Sequence, residues 1–123
     1  MGDKMSVRAI RGATTVEDND KSQIISETKS LLSDIIIKNN IAKEDVISAI
    51  FTLTKDLNAT FPAIAARELG WTEISLMCTS EIDVPGSLRN CIRVLLHINT
   101  DKSNSEIRHV YLKDAKVLRT DIG

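Results

Sequence analysis

Cys91-Ile92-Arg93-Val94-Leu95-Leu96-His97-Ile98 decides the fold. The run is rich in β-branched residues and leucine and holds no glycine or proline. Turn chemistry flanks it in Pro85-Gly86-Ser87 and Thr100-Asp101-Lys102-Ser103-Asn104, so it reads as a buried strand. Alternate side chains of a strand share a face. Ile92, Val94, Leu96 and Ile98 make one continuously apolar face, fit to lie against a helix; Cys91, Arg93, Leu95 and His97 make the other. An arginine in the middle of such a strand needs an anion, because an unpaired buried charge is strongly unfavourable. A carboxylate of the protein or a bound ligand would serve, and at this level both stand open.

Working outward, a strand begins at Met5, with Val7, Ala9 and Arg11 on one side and Arg8 and Ile10 on the other, and stops at Gly12. After the acidic turn Glu17-Asp18-Asn19-Asp20, Asp20 and Gln23 have the spacing of a capping box. Ile24, Thr28, Leu31 and Ile35, with Ile25, Leu32 and Ile36 beside them, then form one apolar stripe at helical period. Lys38-Asn39-Asn40 suits the helix end. Residues 46–53 read as a second strand and 54–58 as a loop. Residues 61–69 read as a short helix with Pro62 in its first turn and Gly70 as its stop. A strand is expected over 71–78, a loop over 79–87, and final short strands over 107–112 and 115–119.

The expected architecture is α/β (α+β): a mixed sheet of about five strands with one long helix on one face and a short second helix. One helix of roughly 18 residues covers only one face of such a sheet. Val7, Ala9, Ile74, Leu76 and Leu95 leave apolar surface unaccounted for, so self-association is expected.

The chain of 123 residues fits one domain over 1–123, and 42% hydrophobic with 27% charged residues is ordinary for a soluble globular protein. A net charge of -1 and only one Trp, one Tyr and two Phe give no basic, aromatic-interleaved surface, so no nucleic-acid partner is expected. No run approaches the ~20 apolar residues of a membrane span, and the N-terminus lacks the apolar core of a signal peptide. The expected location is therefore cytoplasmic, with Cys78 and Cys91 reduced. Cys78, Cys91, His97 and His109 have no metal-ligand spacing, and no nucleophile elbow or phosphate-binding glycine motif occurs. No metal and no cofactor are expected.

Four arginines stand out: Arg11, Arg93 and Arg119 interrupt or end apolar strands, and Arg67 lies on the short helix. Any one alone reads as a solvated or ion-paired side chain. Together with Glu81 and Tyr111 they fit a pocket for a small anion bearing more than one carboxylate.

The chain resembles the small, trimeric α/β chorismate mutases of the AroH class along nearly its whole length. The resemblance is carried by Arg8-Ala9-Ile10-Arg11-Gly12-Ala13-Thr14-Thr15-Val16, Phe61-Pro62-Ala63 with Ala66-Arg67-Glu68-Leu69, and Cys78 with Glu81-Ile82-Asp83-Val84. Leu88, Cys91-Ile92-Arg93-Val94, Ile107-Arg108-His109-Val110-Tyr111-Leu112 and Val117-Leu118-Arg119 complete it in the same order. It implies conversion of chorismate to prephenate by an intramolecular Claisen rearrangement feeding phenylalanine and tyrosine synthesis. It also implies a homotrimer whose sheets pack as a pseudo-barrel, with active sites between subunits. Such a reaction calls for restraint of a dicarboxylate and stabilisation of charge on the breaking ether bond, without nucleophile or metal.

By the same resemblance Arg93 binds a carboxylate and donates to the ether oxygen, and Arg11 and Tyr111 hold the side-chain carboxylate. Glu81 accepts the ring hydroxyl, with Cys78 hydrogen-bonding nearby. Phe61, Ala63, Arg67, Leu76, Met77 and Leu118 line the walls, and Arg119 stands at the mouth. Two departures are visible. Ile64 stands where the family commonly has a lysine, and only four residues follow Arg119, which implies a less complete closure and a raised KM. Two other readings remain: a trimer that binds an anionic metabolite without this turnover, or hydrolyses an enamine or imine, and a structural oligomer with Arg93 paired to Glu81 or Asp83.

Overall fold

Ile92, Val94, Leu96 and Ile98 are all buried in the computed structural model, which describes residues 5–119. They lie on β4 (Cys91–Thr100), the central strand of a five-stranded mixed sheet. With β1 (Ser6–Thr15), β2 (Val46–Leu53), β3 (Ser75–Ser80) and β5 (Val110–Tyr111), the order across the sheet is β3-β2-β4-β1-β5. β4 runs antiparallel to both neighbours, whereas the outer pairs β2–β3 and β1–β5 are parallel. The polar start at residues 1–4 and the tail at 120–123 lie outside the described residues.

Register fixes the two faces, because residues directly opposite in a ladder point the same way. Ile10 opposite Leu96 and Gly12 opposite Val94 put that side of β1 with the apolar side of β4. Helix α1 (Lys21–Asn39) covers it, burying Ile24, Leu31, Leu32 and Ile35. Gly12 lets the helix sit close: a Cβ there would stand 2.7 Å from Ile35 Cδ1 and 3.2 Å from Leu31 Cδ1. The helix ends follow the sequence closely. The Asp20 carboxylate accepts from the Gln23 amide at 3.0 Å, and Asn40 closes the helix in the left-handed region. The box is only half made, since the Gln23 side chain bonds Asp18 instead of the Asp20 backbone.

β1 runs past Gly12 to Thr15, carried on by its pairing with β4. The expected strand at 71–78 begins later, at Ser75. Helix α2 (Ala63–Glu68) is the reason. Gly70 (φ 93°) and Trp71 return their amides to Arg67 and Ala66, at 3.0 Å each, a Schellman ending that ties Trp71 to the helix and buries it.

The expected strand at 107–112 shrinks to Val110–Tyr111. Buried Asn39 of α1 takes both backbone groups of Arg108, accepting from its N–H at 2.8 Å and donating to its carbonyl at 2.9 Å, which holds the chain off β1. The expected strand at 115–119 is instead part of a 3₁₀ turn over Lys113–Arg119. Lys113 enters it in the left-handed region (φ 53°), and so short an apolar run has no distinguishing period. Among the described residues no helix is long and apolar enough to cross a membrane, and no three His, Cys, Asp or Glu side chains group to hold a metal ion.

Candidate active site

The face of β4 turned away from α1 carries Arg93, half-buried between the cross-strand neighbours Ala13 of β1 and Thr52 of β2. Arg11, two residues before Ala13, shares this face, and the Ala13–Tyr111 pairing puts Tyr111 there from β5. Glu81 leaves the end of β3 with its amide donating to Leu53 O at 2.9 Å, which brings its carboxylate back over Thr52. Arg11, Thr52, Glu81, Arg93 and Tyr111 thus line one cleft of about 370 Å³, floored by Ile50 and Leu95. Five chain segments meet there, and only strand register brings them together.

Arg93 does have a protein carboxylate. Its Nη1 donates to Glu81 Oε1, but at 3.5 Å, with 43% of the Arg93 side chain exposed and 22% of Glu81. A well-made charge-assisted bond is about 2.7–2.9 Å, and Arg–carboxylate pairs are frequently bidentate. One long contact leaves most of the guanidinium fork uncommitted. Glu81 meanwhile accepts a short hydrogen bond from the Thr52 hydroxyl, which fixes the orientation of its carboxylate. The Arg11 guanidinium makes no ion pair among the described residues. Two arginines against one carboxylate give the cleft a surplus of positive charge, suited to an anion.

Cys91, at the start of β4, is not a nucleophile here. Burial pushes its thiol up to about 11, against the opposing pull of Arg93, so the thiolate is scarce at neutral pH.

The remaining residues of the expected site lie elsewhere on the same chain. Phe61, Ala63, Arg67, Leu76, Met77 and Cys78 line a second cleft of about 280 Å³ at the outer edge of β3, beside α2. Cys78 pairs with Phe51, on the α1 side of the sheet, so it is not next to Glu81 within one chain despite their closeness in sequence. Leu118 borders a smaller hollow of about 190 Å³ shared with Glu81, Cys91 and Arg93. Arg119 ends the 3₁₀ turn half-buried, and its charge acts on His109. Ile64 sits half-buried on α2, three residues before Arg67 and so on a neighbouring part of its surface.

The family model for chorismate mutase type I matches residues 7–122. The chain belongs to the type I chorismate mutases. It is 47% identical over 120 residues to chorismate mutase AroH of Bacillus subtilis (strain 168), covering 97% of this chain and 94% of that protein. To chorismate mutase AroH of Thermus thermophilus it is 44% identical over 117 residues, covering 94% and 96%. A solved chorismate mutase from Clostridium thermocellum superposes with a TM-score of 0.88 at 60% identity, over 89% of this chain and 98% of that one. The mixed five-stranded sheet with its few helices is therefore the fold of that enzyme.

Two residues beside this cleft have roles that the sequence reading did not assign. Thr52 orients Glu81, and His109 Nδ1 accepts the Arg11 backbone N–H at 2.9 Å. Thr52 alternates with Ile50 and Ser48 along β2, but its position opposite Arg93 exists only once the β2–β4 register is known. His109 had no local signal at all, since its partner lies 98 positions away.

Proposed function

We propose that this chain rearranges chorismate to prephenate without a cofactor, as a homotrimer in which each active site is completed by a neighbouring subunit. The observation that carries the reading is the pair Arg11 and Arg93 on one cleft, against a single carboxylate that Arg93 touches only at 3.5 Å. A dicarboxylate substrate supplies the missing anions. Arg93 binds one carboxylate and, through its second N–H edge, donates to the ether oxygen where negative charge grows as the C–O bond breaks. Arg11 and the Tyr111 hydroxyl hold the other carboxylate in the folded-back conformer that aligns the reacting carbons. Glu81, oriented by Thr52, accepts the ring hydroxyl.

The division of the expected site into two clefts on one chain supports an inter-subunit site. Phe61, Ala63, Arg67, Leu76, Met77 and Cys78 of one subunit would wall the Arg93 cleft of the next. The apolar surface of that sheet face supports assembly: Val7 is 56% and Met77 62% exposed in the single chain, with half-buried Ile50 and Leu95 beside them. Packing three such faces together as a pseudo-barrel would bury them. The product would enter phenylalanine and tyrosine synthesis, and a cytoplasmic location accords with that role.

The test is chorismate loss in purified protein without added metal or cofactor, run beside a light-scattering mass. Turnover to prephenate by a species of three chains is the expected result. No turnover at saturating chorismate rejects the activity; full turnover by a monomer rejects the shared site.

A further inference from the structure

We infer that His109 is a positioning residue for Arg11: its neutral imidazole holds the Arg11 backbone, and protonation of that ring releases the strand segment carrying the guanidinium. The inference rests on the mutase reading of the cleft and names a control on it.

His109 Nδ1 accepts from the Arg11 N–H at 2.9 Å, so that nitrogen has its lone pair free and the ring is neutral with its proton on Nε2. The bond occurs where the sheet itself fails. The β1–β5 ladder begins at Gly12 opposite Val110, and Asn39 occupies both backbone groups of Arg108 just before it. With no strand carbonyl in register, the imidazole stands in for one and satisfies an amide that would otherwise lack an acceptor. Arg11 thus lies opposite Leu95 of β4 on one side and is held through its amide by His109 on the other. The clamped peptide is the one that leads into the Cα bearing a cleft guanidinium.

The surroundings keep the ring neutral. Burial is the largest influence lowering its pKa, and two cations add to it, Arg11 of β1 and Arg119 of the C-terminal turn. From α1 the group packed at this point is the neutral Asn39 amide, bonded to Arg108. The acceptor therefore persists below the ordinary imidazole value of about 6.5, and protonation at lower pH turns Nδ1 into a donor facing a donor. The chorismate carboxylates do not titrate in that window, since such groups ionise near pH 4 or below, about 3.9 for a typical side chain. A protonated ring would also add a positive charge near a dianion, which by itself favours binding. The direction of the KM change in acid thus separates loss of position from gain of charge.

The experiment takes wild type, His109→Asn and His109→Leu through steady-state kinetics on chorismate between about pH 4.5 and 8.5, with thermal melts and NMR of the imidazole nitrogens. Asn places its Oδ1 where Nδ1 stands and does not titrate. Wild type is expected to show a KM that rises on the acid side below about pH 6.5, and His109→Asn a KM that stays flat. His109→Leu should carry a KM raised about tenfold at every pH, the scale for orphaning one buried amide. If the leucine variant folds poorly, His109→Gln, which moves the oxygen one bond outward, carries the same expectation. NMR should show the neutral ring protonated on Nε2. A KM that falls in acid, an acid limb unchanged in His109→Asn, an unchanged KM in folded His109→Leu, or a ring protonated on Nδ1 near neutrality would each overturn the proposal. A wild type without turnover overturns the mutase reading and the substrate named here with it; the wrong tautomer in an active wild type overturns the proposal alone.

Discussion

Replacing Arg93 by alanine tests whether that residue serves chemistry or stability, because the two effects differ greatly in size. Its ion pair to Glu81 is 3.5 Å long, with 43% and 22% of the two side chains exposed. Pairs of this kind contribute under about 1 kcal/mol. Glu81 also keeps the Thr52 hydroxyl and its contact with water after the change, so it is not left as a fully buried orphan charge. A melting temperature lower by no more than about 5 °C is expected for a chain of this size. The catalytic loss is on another scale. Removing one preorganised donor from a developing oxyanion costs about 2.7–4 kcal/mol, or roughly 10²–10³ in kcat. Measuring kcat at saturating chorismate beside a circular-dichroism melt reads both quantities on one sample. Arg93→Lys retains the charge without the fork and should stay well below wild type. A folded Arg93→Ala protein turning over within about threefold of wild type would refute the mechanism, since no lost oxyanion donor is that cheap. A fall in melting temperature of tens of degrees with normal turnover in the folded fraction would assign Arg93 to structure instead.

Three further changes probe the scaffold. Gly12→Ala drives a methyl to within 2.7 Å of Ile35 Cδ1 and 3.2 Å of Val94 Cγ1, and should lower the urea-derived stability by about 1–3 kcal/mol through overpacking. Asn39→Ala removes the acceptor of the Arg108 amide and the donor to its carbonyl, both part-buried bonds; a loss of about 1 kcal/mol is expected, with faster hydrogen exchange at Arg108 as the specific sign. Burial pulls the Asp56 carboxyl upward, but bonds from the Thr54 hydroxyl and Asn90 amide, with the charge of Arg89, outweigh it and hold the group below its usual range. That lowered value stabilises the fold above about pH 3.9 and is lost as pH falls through the folded value, so Asp56→Asn should flatten the acid side of a urea-midpoint profile.

Much of the fold was legible because its signals are local. The stripe from Ile24 to Ile35 and the Asp20 carboxylate at the helix start needed no partner elsewhere to be read, and both are observed. The alternation in β4 was equally direct, and its two faces are those the sequence predicts. The failures have different causes. Trp71 has the composition of a strand start, yet the Schellman ending after α2 holds its amide. Residues 107–109 are strand-like but are drawn off β1 by Asn39, which is 69 positions from Arg108. Residues 115–119 are apolar enough for a strand, and a left-handed Lys113 turns them into a 3₁₀ segment. A long-range hydrogen bond overrode the short-range pattern at residues 107–109, whereas at Trp71 and Lys113 a local backbone turn did so.

The sequence alone called for an anion at Arg93 on the premise that the strand buries it, and in the single chain the side chain stays 43% exposed with one long contact to Glu81. The resemblance supplied a name for that anion, and the family match agrees with it. What only tertiary structure decided is how the groups are shared out. Arg11, Glu81, Arg93 and Tyr111 converge on one cleft, while Cys78 and Phe61 face another. The physical reason is strand geometry. A side chain's face is fixed by alternation within its own strand, but its neighbours are fixed by register with strands far away in the chain, and a shift of one residue would send every one of them to the opposite side.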